Sequence, residues 1–439
     1  MPRHMKFGFV LGILAWAASA QEPLGLKESV RQALASHPSQ QAAAAGTLAA
    51  EARVKQARSG YLPKAGYRES FQTSNQPVFA FGALLNQRRF AQQNFEIDAL
   101  NHPGFVNNFQ SQVSLEQTVW DFGGTRTAVR SAQIGHDLTE EEERFTAQQR
   151  VAAVARTYHA VRLAEQARGV AGAAVRSAEA NLGRATAVRD AGMSTDADVL
   201  SIRVHLASMR EQHIRLRYEA EIALAALNEA MGFPLDSSWQ LTTALTPAER
   251  ASDEGGFRPE LKQAQLTSQL RQEQRSAASR AYFPQIVAQM AFEANRGTFV
   301  TQTGTNWFFG AGLRWNLFDG STRRKVEESE HVLAGAQAQE RQVAAQIALQ
   351  LRQAHARFAS ARERLRVTEA AVAEAEESVR IVRNRYDAGL ARVDELLRNE
   401  VAVLETQIRH LQAVYDQRMA AVEIELAAGT LTEDSDVLE

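Results

Sequence analysis

The sequence predicts a mixed α and β protein made by tandem duplication. Each copy holds two amphipathic strands and one long antiparallel α-helical hairpin of coiled-coil type. Three observations carry this reading. Gly320 to Ala428 lacks proline and spaces its apolar residues by three, four or seven, a heptad-like stripe. An ordered set of short motifs recurs about 200 residues apart, which chance does not give four times in order. Four stretches switch from helical spacing to strict alternation, the period of a strand.

The N-terminus reads as an export signal at 1–20. Arg3, His4 and Lys6 form a positive region, Phe7 to Ala17 an apolar core, and Ala18-Ser19-Ala20 a cleavage site. The core is too short to span a bilayer. Residues 21–232 form the first repeat. Leu26 to Ser36 is a short helix stopped at His37-Pro38, and Ser39 to Gly60 is alanine-rich and helical up to Pro63. A strand is expected over about 64–76, where Tyr67, Glu69, Phe71 and Thr73 alternate with Arg68, Ser70 and Gln72. Residues 77–104 read as a loop with a short helix. A second strand follows over about 108–120, with Phe109, Val113, Leu115 and Val119 on one face. The hairpin then spans about 124–231, turns at Gly192, and stops at Gly232 and Pro234.

Residues 233–258 are a linker rich in Pro, Ser, Asp and Gly. The second repeat spans 259–431, with strands over about 285–296 and 306–318 and a hairpin over about 320–428 that turns at Gly389. At 1.5 Å per residue the first arm of that hairpin is roughly 100 Å long and needs partner helices to cover its stripe. The acidic tail 432–439 reads as mobile.

The motifs fix the duplication. Gly192 and Gly389 are 197 apart, and Trp120-Asp121 and Phe318-Asp319 are 198 apart. His37-Pro38 and Arg258-Pro259 are 221 apart, as are Tyr61-Leu62-Pro63 and Tyr282-Phe283-Pro284. The first copy therefore carries about 23 extra residues between Pro63 and Asp121.

Each strand has one apolar and one polar face, and aromatic residues gather at the ends: Tyr61, Tyr67, Trp120, Tyr282, Phe283, Trp307 and Phe318. This is the signature of a bilayer-spanning strand. A soluble sandwich is the competing reading, but helices this long do not cover a small sandwich. Four strands cannot close a barrel, and open edges are not tolerated in lipid. Two chains would give a filled barrel of eight strands; three would give twelve and a lumen.

Composition removes other functions. Net charge is −2 and there is no cysteine, so no basic surface invites nucleic acid and no disulfide or acylated cysteine is available. There is no phosphate-binding G-x-x-x-x-G-K and no H-E-x-x-H, so no cofactor, metal or catalytic site is expected. His205, His213 and His410 read as packing or surface histidines, and the run Glu140 to Glu143 as a solvated helix face.

The chain resembles the bacterial outer-membrane efflux proteins, the TolC-like channels. The residues that carry this are Ala33-Leu34 with His37-Pro38, Gly60-Tyr61-Leu62-Pro63, Trp120-Asp121-Phe122-Gly123-Gly124 and Asp190-Ala191-Gly192-Met193 with Asp198-Val199-Leu200. Arg258-Pro259-Glu260-Leu261, Tyr282-Phe283-Pro284, Leu317-Phe318-Asp319-Gly320 and Tyr386-Asp387-Ala388-Gly389-Leu390 with Glu395-Leu396-Leu397 repeat them. The resemblance implies a homotrimer with a 12-stranded barrel in the outer membrane and a coiled-coil periplasmic tunnel. It implies partners as well: outer-membrane lipid, a periplasmic membrane-fusion adaptor, and an inner-membrane pump of RND or ABC type. The adaptor would dock on the tips Ala191, Gly192, Met193, Ala388, Gly389 and Leu390.

Asp196, Asp198, Asp387, Asp394 and Glu395 lie near the turns and are candidate gate or selectivity acids, which threefold symmetry would gather into a ring. Helix N-capping is the competing role. The family often has a second acid three residues beyond Glu395, where this chain has Arg398, so the ring would be weaker or carried by other residues. A coiled-coil structural or adhesive envelope protein is the alternative function, and an exported enzyme is disfavoured because no acid, base or nucleophile converges.

Overall fold

The computed structural model describes residues 22–248, 255–299 and 303–439. The expected signal at 1–20 lies outside the described residues, as does part of the linker. The elements in order are β1 (Glu22–Leu24), α1 (Leu26–Ser36), α2 (Pro38–Arg58), β2 (Lys64–Ser74), α3 (Pro77–Asn86), α4 (Ile97–Asn101), β3 (Val106–Trp120), α5 (Gly124–Asp190) and α6 (Asp196–Met231). They continue with β4 (Trp239–Leu241), α7 (Pro259–Arg280), β5 (Gln285–Arg296), β6 (Gly304–Arg314), α8 (Gly320–Asp387) and α9 (Val393–Ala428).

These elements group into two compact units that cut across the repeats. One holds the residues up to Gln41 with Thr146–Arg258 and Ala348–Glu439; the other holds Ala42–Phe145 and Pro259–Ile347. In the first unit both hairpins end in the same way. Gly232 and Gly429 follow α6 and α9 in the left-handed region, at φ 80° and 78°. A Cβ on Gly232 would lie 3.2 Å from His37 Cα, and one on Gly429 would lie 3.2 Å from Arg258 Cδ. The residue before the paired prolines thus packs on the glycine that caps its repeat's returning helix.

Around that contact sits the main apolar core, with Leu26, Val30, Val151, Val154, Tyr158, Leu227 and Met231. Tyr158 Oη donates to Leu24 O at 2.9 Å and accepts from Thr243 N at 2.9 Å, joining the parallel pair β1–β4 to α5. The tail, expected to be mobile, packs against this core. Val437 and Leu438 are 3% and 1% exposed and belong to this core. Lys27–Glu439 and Arg31–Asp434 ion pairs, at 2.6 and 3.1 Å, flank them. Two apolar residues among acids are enough to anchor the chain end.

The second unit contains one antiparallel sheet of order β2-β3-β5-β6. The pairing joins the two repeats through β3 and β5, with Val113 opposite Phe292 and Leu115 opposite Met290. Directly opposed residues share a face. One face carries Tyr67, Phe71, Val113, Leu115, Met290, Phe292, Trp307 and Phe309; the other carries Arg68, Ser70, Gln110, Gln112, Glu293, Asn295 and Asn306. On the polar face Gln110 bonds Glu293 at 2.5 Å and Asn108 bonds Asn295 at 2.9 Å.

Two strands stop short of the expected ends. β2 ends at Ser74, whose hydroxyl accepts from Gln76 N at 3.0 Å and starts the turn into α3. β6 ends at Arg314, after which Trp315 Nε1 donates to Tyr282 O at 3.0 Å. The extra segment 77–104 folds onto the strand ends through Gln87, which is fully buried and donates to Asn107 O and Asn108 Oδ1 at 2.7 and 2.9 Å.

The repeated aspartates prove to be helix caps. Asp121 accepts from Gly123 N at 3.0 Å and Thr125 N at 2.5 Å ahead of α5. Asp319 accepts from Ser321 N at 2.8 Å ahead of α8. No helix among the described residues is long and apolar enough to cross a membrane.

Candidate functional site

The two hairpin turns have the same backbone. Gly192 and Gly389 sit at φ 77° and 73°. Gly192 N donates to Arg189 O at 2.7 Å and Met193 N to Val188 O at 3.0 Å; Gly389 N donates to Tyr386 O at 2.9 Å and Leu390 N to Arg385 O at 2.8 Å. Each turn is a Schellman cap, which glycine forms without steric cost. No atom lies within 4 Å of a Cβ built on either glycine, so the constraint there is backbone angle alone. Ala191, Gly192, Met193, Ala388, Gly389 and Leu390 are all exposed, with Met193 at 75% and Leu390 at 71%.

The five acids near the turns do not form one cluster within the chain. Asp198 completes a capping box with Thr195 at the start of α6. Hydrogen bonds from Thr195 hold its carboxyl below the usual value, against a small burial effect. Asp196 faces Arg189 at 3.6 Å and Asp387 faces Arg184 at 3.8 Å. Asp394 pairs with Arg392 at 3.2 Å and Arg398 at 3.0 Å, and Glu395 pairs with Arg385 at 3.1 Å. Four of the five thus have an arginine and the fifth caps a helix, so the expected negative field is largely offset within the chain. The capping role weighed from the sequence is the one seen for Asp198.

Sequence reasoning missed a buried acid farther from the turns. Glu400 on α9 has a side chain only 8% exposed. Its Oε1 accepts from Ser177 Oγ at 3.1 Å and Asn181 Nδ2 at 2.6 Å on α5, and from Arg383 Nη2 at 2.9 Å on α8. Its Oε2 lies 3.3 Å from His205 Nε2 on α6. Burial pushes the Glu400 pKa up, but the close contact with His205 and the bonds from Asn181, Arg383 and Ser177 outweigh it and hold it below the ordinary glutamate value. The signal in the sequence was His205, which stands on an otherwise apolar helix face.

One group among the described residues brings three potential metal-binding atoms within 4.8 Å: His136, Asp137 and Glu140 on α5. The acid run expected to be solvated is only partly so: Glu142 is exposed, whereas Glu140 and Glu143 are half-buried and Glu143 accepts from Thr47 Oγ1 at 2.7 Å. Within that run Glu141 departs from expectation: it is 8% exposed and pairs with Arg144 at 2.8 Å.

A family model described as Outer membrane efflux protein matches residues 29–233 and 256–430. The fold is also that of solved channels. The Campylobacter jejuni CmeC outer membrane channel superposes with a TM-score of 0.81 at 15% identity, over 99% of this chain and 96% of that one. The outer-membrane channel OprN gives 0.77 at 19%, over 92% and 90%. VceC from Vibrio cholerae gives 0.75 at 18%, over 92% and 96%. No curated sequence matches the chain.

Proposed function

The chain belongs to the outer membrane efflux protein family, and we propose from that premise that it is the exit duct of a tripartite export system. It is an outer-membrane channel with a large periplasmic portion. Three copies close a barrel of twelve strands, each β6 edge pairing with the β2 edge of the next copy. A periplasmic adaptor docks on the exposed turns, and an inner-membrane pump supplies energy. The family is one of channels, not enzymes, and we assign this chain no catalytic step.

The two-faced sheet carries this reading. Its apolar face suits lipid, its face of Gln, Asn, Ser and Glu suits a wet lumen, and its two edges pair with no strand among the described residues. A structural or adhesive envelope role has no use for such a sheet. Planar bilayers are the test: the purified protein should give discrete conductance steps, and a folded protein that never conducts would refute the channel.

Docking is tested separately, in cells with pump and adaptor. Bulky residues at Gly192 or Gly389 strain the turn but meet no neighbour, so the protein should fold and assemble while export stops. Normal export by both variants at normal protein level would place docking elsewhere. The acids are tested by Asp198→Ala and Glu395→Ala, which should shift cation preference if those carboxylates face the lumen; unchanged preference in both would leave them as caps and ion-pair partners.

A further inference from the structure

We propose that Glu400 is a positioning residue: the hub of a buried tether that joins all four hairpin helices and sets the length of tip that can move. This goes beyond the channel reading and rests on it only for its conductance arm.

The hub differs in kind from every other polar contact near the turns. Its Oε1 accepts hydrogen bonds from α5 and α8 while it sits on α9, and its buried Oε2 faces His205 Nε2 on α6 across a 3.3 Å contact outside hydrogen-bond geometry. Arg383 Nη2 also reaches Ser177 Oγ at 3.2 Å, and Arg184 Nη2 donates to Asn181 Oδ1 at 2.8 Å, so the donors are themselves held. Asn181 and His205 are 3% and 8% exposed. A buried charge cannot lose its partners piecemeal, because each lost bond leaves it both unpaired and desolvated. The tether therefore holds or fails as one.

Beyond the hub, toward Gly192 and Gly389, the contacts change character. Ala185, Val199 and Ile202 form a small apolar cluster with Leu182, Val393 and Leu397. Apolar contacts are non-directional and permit sliding. The remaining links are exposed ion pairs such as Arg184–Asp387, at 51% and 48% side-chain exposure, which constrain little. On its other side the hub borders a cleft of about 240 Å³ lined by Val170, Met209, Val379 and Leu404, beyond which Leu404 and Ile408 of α9 pack against Leu206 and Met209. Glu400 lies eleven residues past Gly389 and is the eighth residue of α9, about two helical turns from its start. Between them α9 is held by the apolar contacts of Val393, Leu396 and Leu397 and by exposed ion pairs, which resist sliding less than the buried hub does.

The test uses the cysteine-free chain with spin labels at Met193→Cys and Leu390→Cys, in assemblies diluted with unlabelled protein. Glu400→Gln should broaden the tip-to-tip distance distribution and raise the open probability in bilayers by roughly fivefold or more. Glu400→Asp should restore most of both. Arg380→Gln, which breaks an exposed pair with Glu377 on α8 alone, should change neither. If Glu400→Gln fails to assemble, Asn181→Ala keeps the charge and removes one donor, and a smaller broadening is expected. A folded Glu400→Gln assembly, or failing that an Asn181→Ala assembly, with wild-type distances would overturn the proposal, even if its melting temperature fell. A wild-type protein that never conducts while Glu400→Gln still broadens the distances would refute the channel and leave the tether standing.

Discussion

Helices α6 and α9 occupy the same place in the two repeats, and each has 36 residues. Both bury an inward stripe: Ile202, Leu206, Met209, Leu216 and Leu227 in α6, and Leu396, Leu404, Val414 and Ile424 in α9. Their outward faces differ. Leu200, Val204, Ile214, Tyr218 and Ile222 of α6 are between 51% and 71% exposed, whereas α9 exposes no large apolar residue. At 100° per residue these five fall within about 40° of one line. Duplication supplied the same helix twice, and only one copy carries a second apolar face. That face, like the sheet edges, is uncovered among the described residues.

The largest effect expected is on the inward stripe. Leu227 is fully buried, so Leu227→Ala should cost about 2–5 kcal/mol of chain stability, as measured by denaturant unfolding. A cost as small as that of an outward substitution would erase the distinction between the faces. The sheet offers the same contrast against lipid. Leu115→Arg on the apolar face should impair insertion by about 2–4 kcal/mol if the site lies near midplane, while Gln112→Arg on the opposite face should be tolerated. Equal insertion of both variants would reverse or abolish the assignment of faces.

A pH series sharpens the contrast between buried and exposed polar links. The folded-state pKa of Glu400 lies below the ordinary 4.5, so the unfolded state takes up the proton first. Its contribution to stability is complete above pH 4.5 and is lost as pH falls through the depressed folded value. The melting advantage of wild type over Glu400→Gln should hold down to that pH and shrink below it. An advantage that persists undiminished in stronger acid would mean that its charge is not what holds the helices. The smallest effect on the chain itself belongs to the outward face. Ile222→Glu should change chain stability by no more than about 0.5 kcal/mol yet weaken assembly, visible as dissociation on dilution.

Much of this was legible before the structure. Glycine and aspartate marked the hairpin turns and helix starts because those positions demand a positive φ or a side-chain acceptor, and the demand recurs at fixed spacing. The alternation in 108–120 and 285–296 survived as β3 and β5 because one face meets a different solvent from the other. What escaped depends on distant partners. β1 and β4 have three residues each, too few to show a period. Glu400 looks like any helix-surface acid until Asn181 and His205, some 200 residues earlier, are folded against it. The intrachain partners of the tip acids were hidden in the same way: Arg184, Arg189, Arg385, Arg392 and Arg398 look like ordinary charges of a helix until the turns bring them opposite.

The central claim is that the chain is one third of a channel, and the mass of the detergent-solubilised complex tests it most directly. The account predicts three copies, held together where the α6 face and the β2 and β6 edges are covered. A stable monomer that retains its full strand content would contradict it.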